Sequence, residues 1–220
     1  VTVQILGTVE RGTALTRSGA AVGDVLFVSG TPGDAAAGLQ FELSRRGKSR
    51  RPSPAAHGGS PGTRGRRPRI DAPDARAARE LRDRFLYPAP RVALGRRLRE
   101  YASACIDVSD GLLGDSGKLA RASGCGVELD YDALPVSRSL LAAAGAARAH
   151  ELAFTGGDDY ELLFSVPPHK VGALLRALPS RRWRYTRIGS VVRRRGAVVN
   201  RGGSVIDFSH YGFDHFAARR

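Results

Sequence analysis

Ala104-Cys105-Ile106-Asp107-Val108-Ser109-Asp110-Gly111-Leu112 alternates apolar and polar residues, stops on a glycine and runs into the amphipathic stretch Leu112–Ser123. In a strand, successive side chains take opposite faces, so Ile106 and Val108 point to a core while Asp107 and Ser109 share the other side. Gly111 permits a sharp turn, Asp110 stands at the start of a helix over Leu112–Ser123, and Gly124 and Gly126 close that helix. Two carboxylates and a hydroxyl thus converge near one helix N-terminus. Hard cations such as Mg²⁺ are commonly held by one or two carboxylates plus substrate phosphates. The helix N-terminus adds a favourable field for an anion. Ordinary N-capping explains one of these side chains, not three.

The flanking sequence supplies further strands and helices. Residues 1–9 alternate like a strand, and 19–23 form a turn before a strand at 24–29. The loop 30–34 opens a helix over 35–44. Helices are expected at 71–86, capped by Asp71 or Asp74 and ended by Pro88, and at 91–101, 137–147 and 170–178. Strands are expected at 104–109, 127–131, 160–166 and 205–208. Residues 185–192 and 197–199 read as a hairpin around Arg194-Arg195-Gly196. Strands alternate with helices but a hairpin is present, so the fold class is α+β with a mixed sheet. A strand at the chain start needs partners that this sequence does not supply, so the chain is expected to be a C-terminal piece of a longer protein.

The 220 residues are 42% hydrophobic, enough for one or two small cores, and carry a formal net charge of +14. Nine basic and no acidic residues fall between Arg45 and Arg69, together with five Gly and four Pro; without this segment the charge is +5. The segment has too little to bury and is expected to be a disordered insert at 45–70. A basic arm can bind nucleic acid, but no aromatic residue here offers a stacking platform, so a solvated loop is the expectation and nucleic acid is not an expected partner. No apolar run is long enough for a membrane-spanning helix. Two cysteines make no disulfide scaffold, which points to a reducing cytoplasm.

Thr155-Gly156-Gly157-Asp158-Asp159-Tyr160-Glu161 feeds paired glycines into paired acids ahead of an apolar strand. It suits a cationic ligand, although a plain glycine turn would give the same pattern. Tyr211-Gly212-Phe213-Asp214-His215-Phe216 places aromatics at the tail, either docked on the core or stacked on a cationic ring. Other signals fail. Gly47-Lys48-Ser49 lacks the upstream glycine of a P-loop, since position 43 is Leu. The glycines of 30–38 have the wrong spacing for a dinucleotide fingerprint. The five histidines show no metal-ligand spacing, and neither a Gly-x-Ser-x-Gly elbow nor a Cys–His pair is present.

Four segments in order resemble the thiamine-monophosphate kinase family of the aminoimidazole-ribonucleotide-synthetase-like superfamily. They are Gly12-Thr13-Ala14-Leu15-Thr16-Arg17-Ser18-Gly19-Ala20, residues 28–39, residues 104–112, and Thr155-Gly156-Gly157-Asp158-Asp159-Tyr160-Glu161-Leu162; Pro88-Ala89-Pro90-Arg91 and the 212–216 tail match as well. The resemblance implies residues 1–23 as a remnant strand and turn of an N-terminal ATP-binding domain. It implies residues 24–220 as the C-terminal synthetase-like domain. It further implies transfer of the ATP γ-phosphoryl to thiamine monophosphate, with Asp107 and Asp110 as Mg²⁺ ligands and Arg17 and Ser109 as ATP contacts. Asp158 stands where the family places an acidic substrate contact, usually Glu, and Phe213 where an aromatic packs on the substrate. No residue is assigned as a general base or nucleophile. The family carries a long N-terminal region with further acidic ligands and dimerises through it. The 220-residue chain alone is therefore expected to be weakly active or inactive, with a homodimer only in the full-length protein. A selenophosphate- or purine-type enzyme of the same superfamily, or a non-catalytic fragment with a basic nucleic-acid-binding arm, is the alternative.

Overall fold

The computed structural model describes residue 4 and residues 6–49 and 75–208. Along the chain come β1 (Val25–Ser29), α1 (Asp34–Ser49), α2 (Ala75–Leu86), α3 (Val92–Leu98), β2 (Ala104–Val108), α4 (Leu112–Ser123) and β3 (Gly126–Asp130). Then follow α5 (Arg138–Thr155), β4 (Glu161–Val166), α6 (Pro168–Ala177), α7 (Ser180–Trp183), β5 (Tyr185–Val192), β6 (Gly196–Arg201) and β7 (Ser204–Ile206). The strands form one sheet in the order β2-β4-β1-β5-β3-β6-β7. Among the described residues only β3 and β6 run parallel. The mixed α+β sheet expected from the sequence is present. No helix of the described residues is long and apolar enough to cross a membrane.

Helices cover both faces of the sheet centre, which is why β1 and β4 are apolar at nearly every position. Leu26 and Val28 face a core shared with α4 and α5, including Leu112, Leu119 and Phe154. Phe27, between them, faces the other way against α3 and α6. There it stacks on Phe164 with centroids 5.4 Å apart and meets Tyr185 edge-on at 5.6 Å. A third cluster, with Ala37, Leu81, Leu140 and Leu152, packs α1 and α2 onto α5.

Four expectations are corrected. Residues 6–9 belong to no strand, and Leu6 and Val9 are exposed. Alternation marks a face, but a strand exists only where a ladder partner is in register. The expected hairpin of β5 with β6 is split, because β3 lies between them, antiparallel to β5 and parallel to β6. The connection after Val192 arches over Gly126, where a Cβ would lie 1.3 Å from the Arg194 carbonyl oxygen. The tight hairpin is β6–β7, turning at Gly202-Gly203. The helix expected at 137–147 runs to Thr155, broken at Gly145 (φ +71°) and capped at its start by the Ser137 hydroxyl, which accepts from the Leu140 N–H. Finally, α1 continues to Ser49, into the segment expected to be disordered. Arg45, Arg46 and Lys48 are good helix formers, and the first proline comes only at Pro52. The rest of that segment, with the Asp71 and Asp74 caps, lies outside the described residues.

Candidate phosphate and metal cleft

β2 and β4 pair with Asp107 opposite Leu162 and Val108 opposite Glu161. The ladder continues beyond the strands: the Tyr160 N–H donates to the Val108 carbonyl (2.8 Å) and the Asp158 N–H to the Ser109 carbonyl (2.9 Å). The two acidic motifs, some fifty residues apart in sequence, are thereby stitched edge to edge. Gly157 is required there, because a Cβ would lie 2.4 Å from the Ser109 carbonyl oxygen. Asp158 (φ +67°) and Tyr160 (φ +50°) are held in the left-handed region. Each costs on the order of 1 kcal/mol, a strain that gathers at functional sites.

A cleft of about 520 Å³ opens beside this seam, lined by Leu15, Arg17, Gly95, Cys105, Ile106, Asp107, Ser109, Asp115, Lys118 and Leu162. Ile106 and Val108 pack into the core and Asp107 is exposed, as the alternation required. Gly111 is the N-cap of α4 and, lacking a side chain, makes no cap bond of its own. The loop is instead pinned by Asp115. Its buried carboxylate accepts from the Ser109 N–H (2.9 Å) and the Asp110 N–H (3.0 Å) through Oδ2, and from Lys118 Nζ (2.7 Å) through Oδ1. Lys118 also donates to Asp110. Burial alone would lower the Lys118 pKa, but its bonds to Asp110 and Asp115 outweigh this and raise it. Burial, then the nearby charge of Asp107, pushes the Cys105 thiol up to about 12. A thiol so protonated near neutrality is no nucleophile.

The cleft offers carboxylate and hydroxyl oxygens, two cations, and an apolar wall of Leu15, Ile106 and Leu162. Oxygen donors of this kind suit a hard divalent ion that brings its own phosphates and waters. Among the described residues no three His, Cys, Asp or Glu side chains form a ready-made metal cage. A chain carrying this cleft can neutralise and orient a polyphosphate.

Behind the seam lies a buried polar network. Glu161 accepts from Arg91 Nε (2.6 Å) and from Arg91 Nη2, and also takes the Ser29 hydroxyl. Asp159 turns its carboxylate inward onto the Gly33 N–H (2.7 Å) and Ala35 N–H (3.2 Å) at the mouth of α1. Burial, only partly offset by these amides, drives its pKa well up. Asp34 accepts from the Thr31 hydroxyl (2.6 Å) and the Ser137 hydroxyl (2.5 Å), yet burial raises its pKa as well.

The Asp34 shift has a testable sign. The folded chain holds the Asp34 proton to higher pH than the unfolded chain, where Asp titrates near about 3.9. Its favourable contribution is thus complete below that value and lost as pH rises through the raised folded pKa. Asp34→Asn stays neutral, and either hydroxyl can turn to accept from the amide. Urea midpoints measured from pH 4 to 7 should fall more for the parent chain than for Asp34→Asn. Parallel profiles would refute the shift.

Arg17, Asp107 and Ser109 therefore share one cleft. Asp110 is tied to it through Lys118, and Asp158 joins it through the backbone of Ser109. Phe213 lies outside the described residues. Asp115 and Lys118 were not singled out from sequence, although an acid in the first turn of a helix is a recognisable signal.

The family described as AIR synthase related protein, C-terminal domain, matches residues 21–201. The chain belongs to this family. The AIR synthase related domain is 38% identical over 218 residues to the thiamine-monophosphate kinase of Salmonella typhimurium, covering 99% of this chain and 60% of that relative. The Haemophilus influenzae enzyme of the same name is 35% identical, with 98% and 60% covered. The domain thus spans about three-fifths of these curated relatives. Among solved structures, the thiamine-monophosphate kinase of Stenotrophomonas maltophilia superposes with a TM-score of 0.70 at 37% identity, over 90% of this chain and 56% of that one. AaThiL complexed with AMPPCP and TMP gives a TM-score of 0.65 at 30% identity, over 92% and 54%.

Proposed function

We propose that this chain supplies the magnesium–nucleotide cleft of a kinase that moves the ATP γ-phosphoryl onto thiamine monophosphate, giving thiamine diphosphate and ADP. The observation that carries the reading is the convergence of Asp107, Ser109, Arg17 and Lys118 on one open cleft, sewn to the acidic 155–161 loop. Relatives of that name and a structure holding AMPPCP and TMP support it. The acceptor is itself a phosphate anion, so its oxygen attacks without a general base, and the γ-phosphorus exchanges its bridging oxygen for that one in line. Arg17 and Lys118 offset the charge of the approaching phosphates, and the Ser109 hydroxyl donates to a phosphate oxygen. Asp107 and Asp110 are the hard donors that would hold Mg²⁺, which when bound neutralises two mutually repelling phosphates. Asp158 presents a carboxylate to the thiazolium cation, and Phe213 an aromatic face. The two free thiols, Cys105 and Cys125, suit a reducing cytoplasm.

Removing the charge of one metal ligand separates this cleft from an incidental groove. Isothermal titration of the chain with Mg·ATP should give weak but measurable binding, lowered about tenfold in Asp107→Asn, the loss of one charge-assisted contact. Equal affinity for the two proteins would place the nucleotide elsewhere.

A further inference from the structure

Offsetting phosphate charge does not by itself explain why Lys118 is held by carboxylates in this structure. Its ammonium sits between two carboxylates: it donates to Asp110 and, at 2.7 Å, to Asp115 Oδ1. The two bonds differ in kind. Asp115 is buried and already committed to the Ser109 and Asp110 amides. Its bond to Lys118 anchors the ammonium from below. Asp110, with a side chain 37% exposed, is the outward partner, and Lys118 itself is 31% exposed and lines the cleft. The ammonium thus bridges the wall of the cleft and a partly exposed carboxylate just outside it.

We propose that Lys118 is a displaceable counter-ion, occupying the Asp110 carboxylate in the nucleotide-free chain and competing with a divalent cation for it. The inference rests on the nucleotide-cleft reading above. When a divalent ion takes Asp110, the ammonium keeps its anchor on Asp115 and gains a phosphate oxygen as its new outer partner. Nothing covalent changes; one charge-assisted hydrogen bond is exchanged for another. Lys118 acts as a positioning residue that makes metal entry depend on phosphate entry. A bare divalent ion must expel an ammonium at a cost, whereas a metal–nucleotide complex offers that ammonium a destination.

Neutralising Lys118 should therefore move two affinities in opposite directions. In the full 220-residue chain, Lys118→Met should bind Mn²⁺, followed by electron paramagnetic resonance, about tenfold more tightly, the effect of removing one near unit charge in nearly aqueous surroundings. Metal-free ATP, followed by titration calorimetry, should bind more weakly to the same variant. Lys118→Arg, which keeps the charge, should follow the parent, and Lys118→Met with Asp110→Asn should lose the gain in Mn²⁺ affinity. Lys118→Gln gives a second neutral variant if Lys118→Met lowers the thermal midpoint. Unchanged Mn²⁺ affinity, or a fall in both affinities as expected of a merely structural lysine, overturns the proposal while leaving the cleft reading intact. If neither the parent nor the neutral variants bind Mn²⁺ or ATP, the cleft reading fails and takes the counter-ion with it.

Discussion

Arg91→Met should destabilise the chain by about 3 kcal/mol, because it strips a buried carboxylate of its main partner. Glu161 is 4% exposed, and Arg91 meets it with two nitrogens. What remains is the Ser29 hydroxyl and Arg84, whose Nη1 stands 3.9 Å away. Neither replaces a bidentate guanidinium, since one is neutral and the other is beyond hydrogen-bond reach. The damage is not local. Glu161 begins β4, Ser29 ends β1, Arg91 precedes α3 and Arg84 belongs to α2, so four elements lose their common joint. Urea unfolding should show the midpoint drop with little change of slope. Arg91→Met combined with Glu161→Gln should recover about half of the loss, because a neutral amide is cheaper to leave half-satisfied than a charge. If the double variant is no better than the single one, the cost is lost packing of the Arg91 stem rather than a stranded charge.

Much of this arrangement can be read from local sequence, and the exceptions share a cause. The strand Ala104–Val108, the turn at Gly111 and the helix Leu112–Ser123 follow from alternation, one glycine and helical spacing. All three are decided within a dozen residues, and Arg17, Asp107 and Ser109 do open onto one cleft. What sequence misjudged depends on partners distant along the chain. Residues 6–9 continue the pattern of a strand, but pattern does not supply a neighbour. The Arg194-Arg195-Gly196 turn has the chemistry of a hairpin, yet β3, more than fifty residues earlier, slides between its arms. Asp110 also has a partner that local sequence does not announce, a lysine from the second turn of α4. Asp159 and Glu161 stood inside a motif already marked as acidic. Their roles as internal fasteners appear only when Gly33, Ala35 and Arg91 are brought to them by tertiary packing.

Asp115→Asn is the substitution that should couple stability to binding most strongly. The carboxylate is 1% exposed and surrounded by donors alone: two backbone amides on Oδ2 and an ammonium on Oδ1. Asparagine is the same size but keeps only one acceptor oxygen. Facing the amides, its NH₂ group meets Lys118; facing Lys118, it meets both amides. Either way, buried donors are left opposing donors, at about 1–3 kcal/mol for each group stranded. The unfolding free energy should fall by about 3 kcal/mol on that basis. The second consequence concerns function. The Ser109 and Asp110 amides are what hold the 109–110 backbone against α4, and that backbone sets where Asp107, Ser109 and Asp110 present their oxygens. With the pin removed, affinity for Mg·ATP should fall by more than about tenfold, since small misplacements of positioned groups are costly. Asp115→Ala should be milder in stability than its size suggests if water enters to serve the amides, but no milder in binding, because water does not fix the loop. An Asp115→Asn chain with the parent's urea midpoint and the parent's affinity would mean that the loop is held by the seam to Asp158 and Tyr160 alone, and the organising role would pass from α4 to the acidic loop.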